Sequence, residues 1–291
     1  MAAPRYPEKF TSLDGTTTVY TFPLGMFEFE PSQPLRDPVQ QVMGTSRGFR
    51  MLGTATALQA QGSVRIRAIA NETSSANLDA EVDELRADLY TVGLGKLWSL
   101  GADGSRRWCY ASLSEMPTYT LTPRNLLLLP VVFGFMLFSD WFGETAITHT
   151  ETVTSSPDTF TVNNPGNLPA TIVEIRLRAN ANPGFTNPKI ENLTAVSTPF
   201  GSVLYTFETA RDGASSNDEV RLFTGSPAEA ASVKRSTDNG SSYADDFAQL
   251  VIGTAHRVLA FALAPGDNSI KATIGGTANV DVQITAYAPF A

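Results

Sequence analysis

An uncharged run of thirteen residues, Leu126 to Phe138, lies near the middle of the chain between Arg124 and Asp140. Its valines and phenylalanines favour a pleated, mostly buried strand. A membrane span needs roughly 20 apolar residues, and Pro130 and Gly134 interrupt this run. The run therefore predicts a long strand that ends a domain, and no membrane insertion.

The chain changes character after this run. A helix is predicted before it, over Asn77 to Tyr90, because Leu78, Val82, Leu85 and Leu89 recur at helical spacing. About ten short alternating segments follow it, among them Phe247 to Val251, separated by Gly, Pro and Asn, which is typical of a β-sandwich. A chain of 291 residues also exceeds what one core usually serves. We expect two domains, residues 1–143 and 144–291, with the junction at Trp141, Phe142 and Gly143.

The first domain is predicted to be α+β, with the helix covering an antiparallel sheet. Two hairpins are expected, at Asp14-Gly15 and at Asp103-Gly104, because Asp-Gly is a favoured turn pair. The strands of the second hairpin pair aromatic residues, which we interpret as core contacts across the strands. A segment with prolines at 31, 34 and 38 predicts an extended arm outside the sheet.

The charge of the chain disfavours duplex nucleic acid as a main partner. The sequence has 21 basic and 29 acidic residues and a net charge of -8. Residues 1–143 account for -2 of this charge and residues 144–291 for -6. An acidic chain gains nothing from the release of phosphate counterions.

The sequence lacks the usual signatures of an enzyme. The two histidines, His149 and His256, have no metal-ligand spacing, and no Gly-x-Ser-x-Gly elbow or phosphate loop occurs. Cys109 lies between aromatic residues in a predicted strand, which favours a buried structural thiol. We expect a protein without enzymatic activity, bound metal or cofactor.

Two carboxylate pairs leave one enzymatic alternative open. Asp218 and Glu219, and also Asp245 and Asp246, could serve glycosidase chemistry. Any acidic protein offers many such pairs, so solvated loops are the favoured interpretation of both.

Several short motifs occur in an order that identifies a family by resemblance. Those of the first domain are Leu97, Trp98, Asp103, Gly104, Trp108, Tyr110 and Ala111, then Phe138, Asp140, Trp141, Phe142 and Gly143. Those of the second are Asn164 to Asn167, Asn187, Pro188, Ile190 and Asn192, Leu263, Pro265 to Asn268 and Ile270, and Tyr287 to Phe290. In this order they resemble the distal tail protein of long-tailed, siphovirus-type bacteriophages. The first forty residues and residues 200–244 depart from the family pattern.

The resemblance implies a structural virion protein of the phage tail tip, or baseplate. Six amino-terminal domains would form a ring through which DNA passes, and galectin-like carboxy-terminal sandwiches would project from it. The implied partners are other copies of the chain, the tail tube protein, the tail tip hub protein and, in some phages, receptor-binding proteins. The implied location is the virion, after synthesis in the cytoplasm of the bacterial host.

Arginines in the first domain are the candidate ring contacts. Arg65 and Arg67 alternate with apolar residues in a predicted strand from Ser63 to Ile69, and Arg47 and Arg50 lie in a glycine-punctuated segment before it. Arginine is favoured at interfaces for its planar head with several donors. Solvated arginines remain the alternative for all four.

A carbohydrate-binding, lectin-like module used in host attachment is the alternative function. Tyr205, Phe223 and Tyr243 could stack on a sugar ring. A sandwich that serves only as a scaffold is the favoured interpretation, because a fold by itself does not carry a function.

Overall fold

The structure is a computed structural model of a mainly β chain with antiparallel sheets. It describes residues 5–22, 28–33, 62–71, 80, 83–84, 86–89, 92–119, 128–182, 184–198, 201–209, 212–213, 215–251, 261–276 and 279–290. The chain divides into two compact units, residues 1–144 and 145–291.

Unit 1 is built on one antiparallel sheet with the strand order β2-β1-β5-β6-β7-β4-β3. Its strands are β1 (Arg5–Thr11), β2 (Thr18–Thr21), β3 (Glu28–Gln33), β4 (Gly62–Asn71), β5 (Leu94–Gly101), β6 (Arg106–Tyr119) and β7 (Leu128–Leu137). A further strand, β8 (Trp141–Val153), begins in this unit, where Phe142 and Gly143 pair with β6. Both predicted hairpins are present, and Gly15 and Gly104 adopt φ of 79° and 80° at their turns.

A helix covers one face of the unit 1 sheet, as the leucine spacing predicts. Residues 80, 83–84, 86–89 and 92 are helical, and the predicted start at Asn77 lies outside the described residues. Leu89 is buried in a cluster with Phe10, Leu97, Cys109 and Phe135, which come from β1, β5, β6 and β7. The hydrophobic effect therefore holds the helix on this face of the sheet.

The segment predicted as a proline-rich arm differs from the prediction at residues 28–33. Residues 28–33 form β3, which pairs with β4, and the register shifts between Glu30 and Gln33, on either side of Pro31. Proline cannot donate to a ladder, but an edge strand with an irregular register tolerates it. The rest of the predicted arm lies outside the described residues.

Unit 2 packs two antiparallel sheets around one core, as a β-sandwich does. The first sheet has the order β15-β14-β13-β10-β17-β8, and the second has the order β12-β11-β16-β9. The strands are β9 (Asp158–Asn164), β10 (Val173–Ala179), β11 (Phe185–Thr198), β12 (Gly201–Glu208), β13 (Glu219–Phe223), β14 (Ser232–Ser236), β15 (Ala244–Asp245), β16 (Gly266–Gly276) and β17 (Val280–Phe290). Residues of both sheets, among them Ile175, Ile190, Ile270 and Ile284, form one buried cluster.

One predicted strand of unit 2 is wrong. Residues 247–251 were expected to be extended, but Phe247–Gln249 is a turn of 3-10 helix that follows β15. Its Phe247 is partly buried against the core, so an apolar residue at this position does not require a strand.

Among the described residues, no helix is long and apolar enough to cross a membrane.

Candidate interaction surfaces

The sheet of unit 1 carries two lysines and two tryptophans on the face that points away from its helix. This lysine–tryptophan face consists of Lys9, Lys96, Trp98 and Trp108. Side chains alternate between the faces of a strand, so Lys96 and Trp98 of β5 point away from the buried Leu97 between them. Lys9 of β1 and Trp108 of β6 stand opposite Trp98 in register. The four side chains therefore share one face of three neighbouring strands.

Each lysine of this face lies against an indole ring. The Nζ of Lys9 is 5.1 Å from the ring centre of Trp98, and the Nζ of Lys96 is 4.6 Å from that of Trp108. The indole N–H of Trp98 donates to Thr11 Oγ1 at 3.2 Å, which fixes the ring. Such contacts contribute about 0.5–1 kcal/mol each. Burial lowers the pKa of Lys96, so its ammonium group is already partly removed from water.

An aromatic layer supports the lysine–tryptophan face. Trp108 is buried, and its ring centre lies 4.9 Å from Phe142, 5.1 Å from Tyr110 and 6.3 Å from Trp98. These offset and edge-on arrangements are the ones that aromatic rings prefer. These rings lie beside Trp98 on the same face of the sheet, so the lysines pack against a continuous aromatic layer.

The predicted junction residues lie at the start of β8. Phe142 is buried in this aromatic layer, Trp141 is partly buried against the core of unit 1, and Gly143 pairs with Arg107. Beside them, Arg106 lies 2.9 Å from Glu8 and 3.6 Å from Glu144.

Two of the four predicted interface arginines lie within the described residues. Arg47 and Arg50 lie outside the described residues. Arg65 and Arg67 occupy alternate positions of β4, between β3 and β7, and their side chains are not described. The lysines of the lysine–tryptophan face were not predicted, although Lys96 and Trp98 two residues apart in a strand indicate a shared face.

A charged network covers the outer face of two neighbouring strands in unit 2, β10 and β13. Arg176 and Arg221 stand directly opposite each other on β10 and β13, an arrangement that like charges disfavour. Two carboxylates offset the repulsion between these arginines. Arg176 lies 2.5 Å from the fully buried Glu219, and Arg221 lies 2.5 Å from Glu174. Tyr243 donates its hydroxyl hydrogen bond to Glu219, and the guanidinium of Arg221 lies 5.9 Å from the Tyr243 ring centre.

The three aromatic residues proposed for sugar stacking do not form one platform. Phe223 lies two residues after Arg221 on β13, so both side chains are on one face of the sheet, the face that Tyr243 covers. Tyr205 lies on β12 in the other sheet, and its side chain is outside the described residues. Tyr243 is also engaged through its hydroxyl with Glu219.

Three fully buried asparagines form a hydrogen-bonded cluster in unit 2. This asparagine cluster consists of Asn164, Asn192 and Asn268. The Nδ2 of Asn192 donates to Asn268 Oδ1 at 2.9 Å and to the carbonyl of Ala262 at 2.8 Å. The Nδ2 of Asn164 donates to the carbonyl of Leu263 at 3.2 Å. Nearly all buried polar groups in proteins are paired in this way, so the cluster ties β9, β11 and β16 to the segment before β16.

Two side chains considered for catalysis or metal binding, Cys109 and His149, pack against neighbouring residues. Burial, followed by the charge of Asp140, raises the pKa of the Cys109 thiol, which disfavours the thiolate a nucleophile needs. His149 stacks on Phe160 with ring centres 5.1 Å apart, and His256 lies outside the described residues. Within the described part of the chain, no three metal-ligating side chains are grouped.

The carboxylate pair Asp218 and Glu219 is not in a solvated loop, contrary to the favoured interpretation. Both side chains are buried, and each has an arginine partner: Arg235 lies 3.0 Å from Asp218, and Arg176 lies beside Glu219. A buried charge needs such a partner. Of the other pair, Asp245 is exposed on β15 and Asp246 is buried.

No protein-family model matches the sequence, and no curated protein matches it. Two solved chains from the phage p2 baseplate in its activated conformation, one with Ca and one with Sr, align with 99% of this chain and 100% of their own length. Both are 10% identical, with TM-scores of 0.46 and 0.47. A Bacillus thuringiensis Cry1Da tryptic core variant aligns with 62% of this chain and 30% of its own, at 10% identity and a TM-score of 0.21. Identities this low do not assign a family.

Proposed function

We propose that the chain is a structural protein of a bacteriophage tail, the distal tail hub. In this proposal six copies form a ring that joins the tail tube to the tail tip or baseplate, and DNA passes through its centre. The partners are further copies of the chain, the tail tube protein and the tail tip hub protein, with receptor-binding proteins as possible additions on unit 2. The protein acts in the virion after synthesis in the host cytoplasm.

The asparagine cluster is the observation that carries this proposal. The family resemblance of the second domain rests on motifs spread over residues 164–290, none of which is diagnostic alone; Pro265 to Asn268, for example, is ordinary turn chemistry. Asn164, Asn192 and Asn268 belong to three of these motifs, and each buried side chain bonds the backbone of residues 262–264, while Asn192 also donates to Asn268. Such a set explains why motifs distant in sequence occur together, and so it supports the resemblance from which the function follows.

The net charge of the chain is compatible with a DNA channel. The chain carries -8, of which residues 1–143 account for -2, so phosphate groups have no general attraction to the protein. DNA could then slide through the ring without being retained.

Labelling of virions tests the proposal directly. Antibodies against the purified chain, coupled to gold, are expected to mark the tail tip of intact particles of the phage that encodes it. Antibodies against the major capsid protein serve as the control for access to the particle surface. Label on the capsid, or no label on virions in which capsid labelling succeeds, would contradict a tail tip role.

A further inference from the structure

We propose that the lysine–tryptophan face of one copy binds the acidic helix of the next copy, a contact that rests on the proposed ring. The acidic helix is the helix of unit 1, with the exposed carboxylates Asp83, Glu84 and Asp88. The occupant of the lysine–tryptophan face is thus a second copy of this chain.

The two surfaces lie on opposite sides of unit 1. Leu89 of the helix and Leu97 of β5 meet in the core. Lys96 and Trp98, the neighbours of Leu97 in the strand, point to the other side of the sheet. Because the helix and the lysine–tryptophan face point in opposite directions, one copy can use both at once, each with a different neighbour.

The helix has an excess of negative charge. Its sequence from residue 77 to residue 90 contains five acidic residues and one basic residue. The basic one, Arg86, lies 3.3 Å from Asp83. Asp83, Glu84 and Asp88 are all exposed, so the helix presents several carboxylates on its solvent side.

The lysine–tryptophan face offers cations that are ready to meet carboxylates. In the described part of the chain, neither Lys9 nor Lys96 has a carboxylate within ion-pair distance, although the charge of Asp14 acts on Lys96, and each ammonium group lies over an indole. Burial already lowers the pKa of Lys96. Side chains held by aromatic packing lose less conformational entropy on binding than free lysines do. A rigid cationic face and an acidic helix are complementary in charge.

Two different patches that bind each other make a heterologous contact. Such a contact closes into a ring when the rotation per subunit is right, and otherwise gives an open filament. The proposed pairing therefore supplies the kind of interface that a ring of identical copies requires.

Charge exchange tests the contact. Lys9→Glu with Lys96→Glu reverses the face, and Glu84→Lys with Asp88→Lys reverses the helix. Each double variant alone is expected to weaken self-association at least about tenfold in sedimentation velocity experiments. A chain with all four substitutions is expected to associate again. An equimolar mixture of the two double variants is also expected to assemble, because every contact in an alternating ring then pairs opposite charges.

The control reverses two lysines of unit 2 that lie near different carboxylates, Lys234→Glu with Lys271→Glu, and is expected to assemble like the wild type. If the mixture assembles, both double variants are folded, because an unfolded chain could not restore the assembly of the other variant. If the wild type assembles and neither double variant changes this, the proposed contact is wrong while the ring stands. If the wild type fails to assemble even with the tail tube and tip hub proteins, both proposals fail.

Nucleic acid is the competing occupant of this face. A fluorescent 20-nucleotide single strand that binds the wild type, and binds the Lys9→Glu/Lys96→Glu variant at least about tenfold more weakly, would overturn the proposal if assembly is unchanged in that variant. Loss of assembly in the variant without strand binding by the wild type supports it.

Discussion

The side-chain amide of Asn192 donates a hydrogen bond of 2.9 Å to the side-chain carbonyl of Asn268, and both residues are fully buried 76 positions apart. Asn268 also accepts from the backbone N–H of Ala264 at 2.7 Å and donates to the carbonyls of Ala264 and Gly266 at 2.8 and 2.9 Å. One side chain thus satisfies several buried backbone groups where β16 begins.

Asn268→Ala is expected to destabilise the protein by roughly 2–4 kcal/mol, because one N–H of the Asn192 amide and the backbone N–H of Ala264 lose their acceptor in a buried site. The Asn192 amide keeps its bond to the carbonyl of Ala262. Urea unfolding followed by circular dichroism measures the change. Asn163→Ala is the matched control, since Asn163 is exposed and bonds only the Asp267 side chain, at 2.8 Å. It is expected to cost less than about 1 kcal/mol. Equal losses in the two variants would refute the structural role of the cluster.

The two hairpins could be predicted from their Asp-Gly turns and the helix from its leucine spacing, but the asparagine cluster could not be predicted from the sequence. Asp14-Gly15 and Asp103-Gly104 are local signals, and both hairpins form around them. Asn164, Asn192 and Asn268 meet only through tertiary structure, and each one alone indicates a turn. Strand β14 was missed because its sequence, Ser232 to Ser236, is mostly polar.

The candidate surface was only partly predictable for a similar reason. The pairing of Trp98 with Trp108 follows from the hairpin. The sequence does not say which face of that hairpin the helix covers, so both tryptophans were assigned to the core. The structure places both on the face away from the helix, where Trp108 is buried as that assignment predicts, Trp98 is only partly buried, and a lysine lies over each ring. A strand's alternation identifies two faces, and only tertiary contacts decide which one is covered.

Tyr243→Phe is expected to reduce stability by about 1 kcal/mol at neutral pH, since Glu219 loses one donor in a buried site. Burial and the hydrogen bond to Glu219 raise the pKa of Tyr243. A raised folded-state pKa stabilises the protein below the unfolded value near 10 and loses this effect as the pH rises above it. The difference between the two proteins should therefore shrink above about pH 10. Thermal unfolding between neutral and alkaline pH measures it, and a constant difference would argue against the bond.

Glycan arrays are expected to give no specific binding to the purified chain. Tyr243 bonds Glu219, and Tyr205 lies in the other sheet, so the aromatic residues do not form one platform for a sugar ring. Specific, competable binding that is lost in Tyr243→Ala would instead favour the lectin-like function.

Asp140→Asn is expected to stabilise the protein at neutral pH. Burial raises the pKa of Asp140, so the folded chain holds this proton more tightly than the unfolded chain, and stability falls as the pH rises above about 4. The amide removes that penalty, and the gain should vanish below about pH 4. Thermal unfolding at a series of pH values measures both.

Asp103→Asn is the control of opposite sign. The hydroxyl of Ser105 and then its backbone N–H lower the pKa of Asp103, which is exposed at the turn between β5 and β6. A lowered pKa stabilises the protein above the unfolded value and loses this effect as the pH falls. Asp103→Asn should therefore be destabilising at neutral pH, and a shift of the same sign in both variants would contradict the assignment.

Native mass spectrometry, combined with negative-stain imaging of the same micromolar sample, tests the central claim most directly. The account predicts a species of six copies of 31.3 kDa, about 188 kDa in total, seen as a ring with an open centre. A chain that stays at 31.3 kDa alone and also after mixing with the tail tube and tip hub proteins would contradict it.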